Sequence, residues 1–580
     1  MRALRGTTPD RLIRAALLAA LSLAPHNAAS ATAPGAGAVA CAAPAAAEAG
    51  AAVLAAGGNA VDAAVATALA LAVVHPQAGN LGGGGFAVVR IGAQLAALDF
   101  RETAPAAATR SMFLSEVGAA VAERSLVGPL AAGVPGSPAG LFELHRRFGR
   151  LPWRDVVAPA VRLAGEGFTV TPRLSAAVAA ARSLLGRFAE SAAVWLPDGK
   201  PPEAGTRMTI PALAVALRAY AAGGPGALTS GDRAEAIATA ARRHGGIVTV
   251  ADLAAYRPKW REPVRFLAFG WDVASMPLPS SGGIILAESA GMLERLGWAT
   301  LPAGSPERPH LLAEVWRRAF ADRTLLADPS STLAGPRELL AADWLARRAG
   351  GIDRRRATRS GTVGPWPGAG GESSETTHLS VVDVDGNAVA LTTTLNGSFG
   401  CGLLVPEVGF LLNNEMDDFT TAPGQPNLYG LIQGEANAVA PGKRMLSSMS
   451  PTLAWRGAEL LALGSPGGSH IPTATLQTLL AVVVDGAPVQ AAVARARIHH
   501  QWQPDELVYE SGALTPDQLV ELGRRGHSLR SADELGEVHA VFRDGSGAIT
   551  AAADPRGPGA TATAPSRPAG ATRRAHRHRG

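Results

Sequence analysis

The stretch Glu375-Thr376-Thr377-His378-Leu379-Ser380-Val381-Val382-Asp383 decides how the rest of the chain is read. Upstream, Gly361 to Ser374 is rich in Gly, Pro and Ser, the composition of an exposed, flexible loop. Downstream, Leu379, Val381 and the run Ala388 to Leu395 place apolar and β-branched residues around the turn Asp385-Gly386-Asn387, which is a hairpin pattern. A threonine therefore stands where a loop becomes a strand. Alone, it reads as an ordinary loop-to-strand junction. Its hydroxyl is a weak nucleophile that needs an adjacent base. A cut before Thr376 would create one, because a free α-amino group has a pKa of about 7.7–8.0.

The residues that follow change the weight of that threonine. Thr392-Thr393-Thr394-Leu395-Asn396 closes the hairpin, and Leu411-Leu412-Asn413-Asn414-Glu415-Met416-Asp417-Asp418-Phe419 comes next. Arg444-Met445-Leu446-Ser447-Ser448-Met449-Ser450-Pro451-Thr452 and Gly464-Ser465-Pro466-Gly467-Gly468-Ser469 complete the set. Singly, Gly467-Gly468 reads as a tight turn and Ser447-Ser448 as a helix cap or turn. In this order and company, the segments resemble the γ-glutamyltransferase (glutathione hydrolase) family of N-terminal-nucleophile hydrolases. The resemblance runs from Val39 to Asp554-Pro555-Arg556. It includes Gly57-Gly58-Asn59-Ala60-Val61-Asp62-Ala63-Ala64 and Asp99-Phe100-Arg101-Glu102-Thr103-Ala104-Pro105.

The resemblance implies roles for individual residues. Thr376 matches the nucleophile and the first residue of the small subunit, so the cleavage site is Glu375–Thr376. Thr394 matches a second threonine that supports the nucleophile. Asn396, Glu415 and Asp418 match residues around the substrate's α-amino group. Ser447, Ser448 and Arg101 match those that hold its α-carboxylate. Gly467 and Gly468 match the backbone N–H pair of an oxyanion hole, and Tyr429, within Ala422 to Gly430, matches a lid aromatic. Chemistry supports each match. A zwitterionic head group needs carboxylates for its ammonium, and hydroxyls or an arginine fork for its carboxylate. Adjacent glycines let two N–H groups approach a developing oxyanion. Without the family, Arg101-Glu102 reads as a surface salt bridge and Ala422 to Gly430 as a surface loop.

The implied fold is an α+β, four-layer αββα sandwich formed by two interleaved autoproteolytic chains; periodicity alone supports only α/β or α+β. The expected organisation is a signal peptide at 1–31, a large subunit at 32–375, a small subunit at 376–556, and a disordered basic tail at 557–580. Arg2, Arg5, Arg11 and Arg14 precede the apolar run Ala15 to Ala24, and Ala29-Ser30-Ala31 offers a small-residue cleavage site. That run is too short to span a bilayer. The expected location is therefore periplasmic or secreted. No metal or organic cofactor is expected; the partners are glutathione and other γ-glutamyl compounds, with amino acids or dipeptides as acceptors.

Charge points away from nucleic acid. Of the formal +5, residues 1–31 carry four Arg and one Asp, which leaves +2; Arg573, Arg574, Arg577 and Arg579 account for four more, which leaves −2. The body lacks the field a polyanion requires. Cys41 and Cys401 are too few for a disulfide framework, and whether they pair is left open.

Several readings concern scaffold. Ala45 to Leu71 reads as two helices broken at Gly57-Gly58-Asn59, with Asn59 an N-cap. Gly79 to Phe86 reads as tight backbone packing before a strand, since it lacks the Lys-Ser/Thr of a phosphate loop. Leu141 to Arg243 reads as mainly helical, and Pro277 to Ile284 and His310 to Pro329 as support. Trp316, Phe320, Leu325 and Leu326 are read as core, and His499-His500 as core or hydrogen-bonding histidines. Met445 and Gly397-Ser398 depart from common family residues at positions expected not to touch a chemical group. Two other functions fit parts of the pattern: an acylase for glutaryl-type amides, and an uncleaved exported binding protein.

Overall fold

Thr377–Val382 forms a strand near the middle of one of two seven-stranded sheets. The computed structural model describes residues 32–33, 37–364, 376–420 and 434–564. The fourteen strands of the two sheets are, in chain order, β1 Thr32–Ala33, β2 Ala38–Cys41, β3 Gly84–Ile91, β4 Gln94–Asp99, β5 Lys259–Arg261, β6 Val264–Ala268, β7 Trp271–Ser275, β8 Thr377–Val382, β9 Ala388–Thr394, β10 Thr452–Arg456, β11 Glu459–Gly464, β12 His539–Arg543, β13 Ile549–Ala553 and β14 Ala560–Thr563. One sheet runs β14-β2-β8-β9-β3-β4-β5 and the other β1-β13-β12-β11-β10-β7-β6. Within the hairpin, Leu379 faces Leu391 and Val381 faces Val389.

Side-chain alternation sorts these strands into layers. Ala38, Ala40, Val88, Val382 and Ala390 meet Ala274, Leu453, Ala462 and Val541 of the second sheet in one buried cluster. Their neighbours Val39, Cys41, Val89, Leu379, Val381 and Leu391 pack with residues of helices α1 (Pro44–Ala55) and α2 (Ala60–Val74). On the far side, Val273, Ala454, Leu461 and Leu463 pack on residues of a helix spanning His470–Val483, here α3. The order is helix, sheet, sheet, helix: the expected αββα sandwich. Burial on both faces explains why β8 and β9 carry no exposed residue along their length.

Local signals set the helix starts. The Asn59 side chain accepts from the N–H groups of Val61 and Asp62, while Asp62 accepts from the Asn59 N–H at 2.9 Å, a capping box. Asp383, just past β8, accepts from the Ala60 N–H at 2.9 Å and so ties the hairpin to α2. Between Ser137 and Arg243 the chain is mainly helical, and Trp316, Phe320, Leu325 and Leu326 are buried, as expected.

Two expectations need correction. The segment from Gly557 is not disordered throughout, because β14 pairs with β2, Ala38 opposite Thr563 and Cys41 opposite Ala560. It covers an edge that would otherwise expose unpaired backbone groups. The loop from Gly361 is not free at its start: Ser360–Thr362 forms a 3₁₀ turn and Val363 is buried. Residues 1–31, Glu375, Tyr429 and the tail beyond Ala564 lie outside the described residues. Cys41 and Cys401 are both free and buried, and burial pushes both thiols up to about 12. Among the described residues, no helix is long and apolar enough to cross a membrane.

Candidate active site

Thr376 sits at the head of β8, nearly buried, on a small cavity of about 10 Å³. Arg101, Thr394, Asn396, Glu415, Asp418, Ser447 and Ser448 line the same cavity, with Met449 and Ile471. Residues separated by more than 300 positions in the chain thus converge on one threonine.

Thr394, the last residue of β9, is fixed by its backbone. Asn80 donates to the Thr394 carbonyl at 2.7 Å and to Thr393 Oγ1 at 3.0 Å, while its own oxygen accepts from Gly83 N–H and Ser137 Oγ. The glycine-rich stretch makes this approach possible. A Cβ on Gly83 would lie 2.1 Å from the Thr394 carbonyl oxygen, and one on Gly85 2.4 Å from that of Thr392. Thr394 Oγ1 in turn accepts from the Asn396 N–H at 2.8 Å. Asn396 takes a left-handed backbone, φ +70°, and its amide donates to the Asn414 carbonyl. Such strain is tolerated where surrounding bonds over-determine the position.

Arg101 is the cationic centre. Its two terminal nitrogens donate to Glu415 and Asp418, and its Nε donates to the Met445 carbonyl at 3.4 Å. Met445 therefore does touch a site group, contrary to expectation, but through a carbonyl that any residue in that position supplies. Tyr256 donates to the Arg101 carbonyl at 2.7 Å and steadies the turn after β4. Glu102 stands 3.9 Å from the guanidinium, and both residues are almost wholly buried, so this is not a surface pair. Burial raises the Glu415 carboxyl well above its ordinary range and brings Glu102 to about 7, against the opposing pull of Arg101. Three acids around one guanidinium favour an additional cation. That is the complement of an ammonium beside a carboxylate.

The Pro277–Ile284 segment anchors the backbone of Ser447. The Ser447 carbonyl accepts from Ser281 N–H at 2.7 Å and Ser281 Oγ at 2.8 Å, and the Ser447 N–H donates to the Pro279 carbonyl. Ser448 Oγ is buried without a hydrogen bond to a described residue. Gly467 and Gly468 are not among the lining residues. They precede α3 with φ of +118° and +55°, their carbonyls accept from His470 and Ile471 N–H, and Ile471 lines the cavity. Positive φ favours glycine at both positions.

A family model described as gamma-glutamyltranspeptidase matches residues 46–564. The chain belongs to that family. It is 42% identical over 508 residues to the glutathione hydrolase proenzyme of Escherichia coli, covering 87% of each chain. It is 40% identical over 522 residues to the glutathione hydrolase proenzyme of Pseudomonas aeruginosa, covering 87% of this chain and 91% of that one. Among solved structures, a cephalosporin acylase from Bacillus halodurans superposes with a TM-score of 0.81 at 27% identity, over 93% of this chain and 98% of that one.

Within this γ-glutamyltranspeptidase frame, sequence reasoning missed Asn80, Tyr256, Met449 and Ile471. Asn80 lies inside the glycine-rich stretch already singled out, and Ile471 lies three residues past the glycine pair. Glu102 was visible in the Asp99-Phe100-Arg101-Glu102 signature; only its burial was not. His499 and His500 are buried and hydrogen-bonded, to Thr473 and Gln501 and to Asp505 respectively. Among the described residues, no group of three or more His, Cys, Asp or Glu is placed to hold a metal ion.

Proposed function

We infer that the protein is a γ-glutamyltransferase and glutathione hydrolase, made as a precursor that cuts itself before Thr376. The observation that carries this is a threonine heading a central strand on a cavity that holds Arg101 with Glu415 and Asp418. In maturation, Thr376 Oγ attacks the Glu375 carbonyl carbon, the peptide C–N bond breaks, and the hydroxyl proton passes to the departing nitrogen. Water then hydrolyses the ester, leaving a Glu375 carboxylate and a free Thr376 α-amine. In turnover, that amine takes the hydroxyl proton as Oγ attacks the γ-glutamyl carbonyl, with Thr394 supporting the nucleophile. Backbone N–H groups of Gly467 and Gly468 hold the oxyanion; neither donates to a described residue. The protonated amine leaves, and water or an acceptor amine resolves the γ-glutamyl ester. The donor's α-carboxylate binds Arg101, Ser447 and Ser448, and its ammonium binds Asn396, Glu415 and Asp418. Glutathione is the proposed donor, and the amino-terminal run supports a periplasmic or secreted location.

The test is intact mass of the purified protein beside a Thr376→Ala variant, followed by rates on matched γ-glutamyl and glutaryl anilides. Two chains with a junction at Thr376 in the parent, one chain in the variant, and a preference for the γ-glutamyl substrate are expected. The fold-level likeness to a cephalosporin acylase supports a second reading, a glutaryl acylase. A glutaryl group lacks the ammonium that the buried acids complement, so equal or greater activity on it would favour that reading. An uncut parent without hydrolytic activity would favour a binding protein.

A further inference from the structure

The large-subunit side of the proposed cut is gripped by residues from beyond it. The Trp502 indole N–H donates to two carbonyls, Ser360 at 2.9 Å and Val363 at 3.0 Å. Asp505 accepts from the Ser360 N–H at 2.8 Å. The same carboxylate pairs with Arg317, which also donates to Ser360 Oγ at 2.6 Å. Behind them, Glu314 accepts from Thr358 N–H and Thr358 Oγ1, and Arg348 donates to the Gly364 carbonyl at 3.0 Å. Trp502 holds this position with a left-handed backbone, φ +69°, while its own N–H donates to His500. A bulky residue at positive φ is strained, and strain points toward function once it is observed.

We propose that Trp502 and Asp505 are positioning residues for autoproteolysis, clamping the chain at Ser360–Val363 from downstream of the bond that is cut. The proposal rests on cleavage before Thr376. From Gly364 the chain has twelve Cα steps, about 40 Å fully extended, in which to bring the scissile carbonyl to the threonine. Without the clamp, the Ser360–Val363 turn loses its fixed exit and must be ordered again whenever the carbonyl meets Oγ. Ordering even one residue corresponds to about a 5- to 30-fold change in rate. After the cut, the clamp no longer bears on the chemistry, because none of its residues lines the Thr376 cavity.

The experiment follows precursor and product with time in cell-free synthesis of the full chain, for the parent, Trp502→Phe, Asp505→Ala and Trp298→Phe. Trp298 is a control: a buried tryptophan whose indole N–H likewise donates to a backbone carbonyl, that of Arg308, away from the clamp. Trp502→Phe and Asp505→Ala should lengthen the precursor half-life about 5- to 30-fold. Once cleaved and purified, both should show kcat and KM within twofold of the parent. Cleavage of Trp502→Phe at the parental rate would overturn the clamp. So would equal slowing in Trp298→Phe, or a kcat loss in cleaved Trp502→Phe matching its slower cleavage. A parent that is not cut before Thr376 would instead remove the maturation reading, and the clamp with it.

Discussion

In the proposed site the planar fork of Arg101 meets two carboxylates, Glu415 and Asp418, at the two ends of one 3₁₀ turn. Lysine offers a point charge and cannot bridge Glu415 and Asp418 in the same way. Arg101→Lys should therefore lower kcat/KM on a γ-glutamyl substrate by about 10- to 100-fold, mostly through KM, while Thr376 still cuts the precursor. Steady-state kinetics on the cleaved variant checks this; a change confined to kcat would mean that Arg101 acts on the reacting carbonyl instead. Arg101, Glu415, Asp418 and the serine pair were all legible in the sequence, because each stands in a motif whose chemistry suits one part of an amino-acid head group. Glu102 was legible as a residue but not as a buried acid. A carboxylate beside an arginine looks the same in sequence whether water or protein surrounds it.

At the scale of elements, the glycine-rich stretch before β3 is read correctly as backbone packing, and the structure says against what. A methyl at Gly85 would meet the Thr392 carbonyl oxygen at 2.4 Å, which neither strand can yield without shifting β9 and Thr394 with it. Gly85→Ala should destabilise the fold by about 1–3 kcal/mol or more and slow cleavage, read as a lower urea midpoint and persisting precursor. An unchanged midpoint would show that β3 and β9 can separate slightly. The α1–α2 boundary was legible because Gly57-Gly58-Asn59 combines a break with a cap. Strand β14 was not, since Ala560-Thr561-Ala562-Thr563 differs little from the low-complexity sequence around it and acquires its state only from the β2 edge. Trp502 gave no signal either: its partners are backbone carbonyls, which every sequence has.

Among the described residues, eight histidines are held below their ordinary pKa of 6.5, chiefly by burial. His75 and His527 fall to about 3, His470, His500 and His539 to about 4, His378 and His499 well below 6.5, and His310 below it. The unfolded chain binds protons at these groups below pH 6.5 while the folded one does not, so their contribution is complete above that pH and is lost as pH falls toward the folded values. Each costs up to about 1.4 kcal/mol per unit over that window. The melting temperature should hold between pH 8 and 7 and drop steeply between 6.5 and 5. A flat profile to pH 5 would mean that the histidines take up protons without unfolding.

Strand β8 enters the sheet with β2 on one side and β9 on the other, and β9 is bounded in turn by β3. The proposed cut at its head would place strands of the small chain between strands of the large one. The topology is then written once, by a single connected polymer, and the finished enzyme no longer contains the instruction. Unfolding the mature pair turns a unimolecular problem into a search by two chains, each lacking the strands that separate its own. Activity lost on heating should not return on cooling, whereas the uncut Thr376→Ala chain should recover its native circular dichroism independently of concentration. The proposed maturation would thus make the enzyme's history irreversible: a molecule that can be assembled but not reassembled.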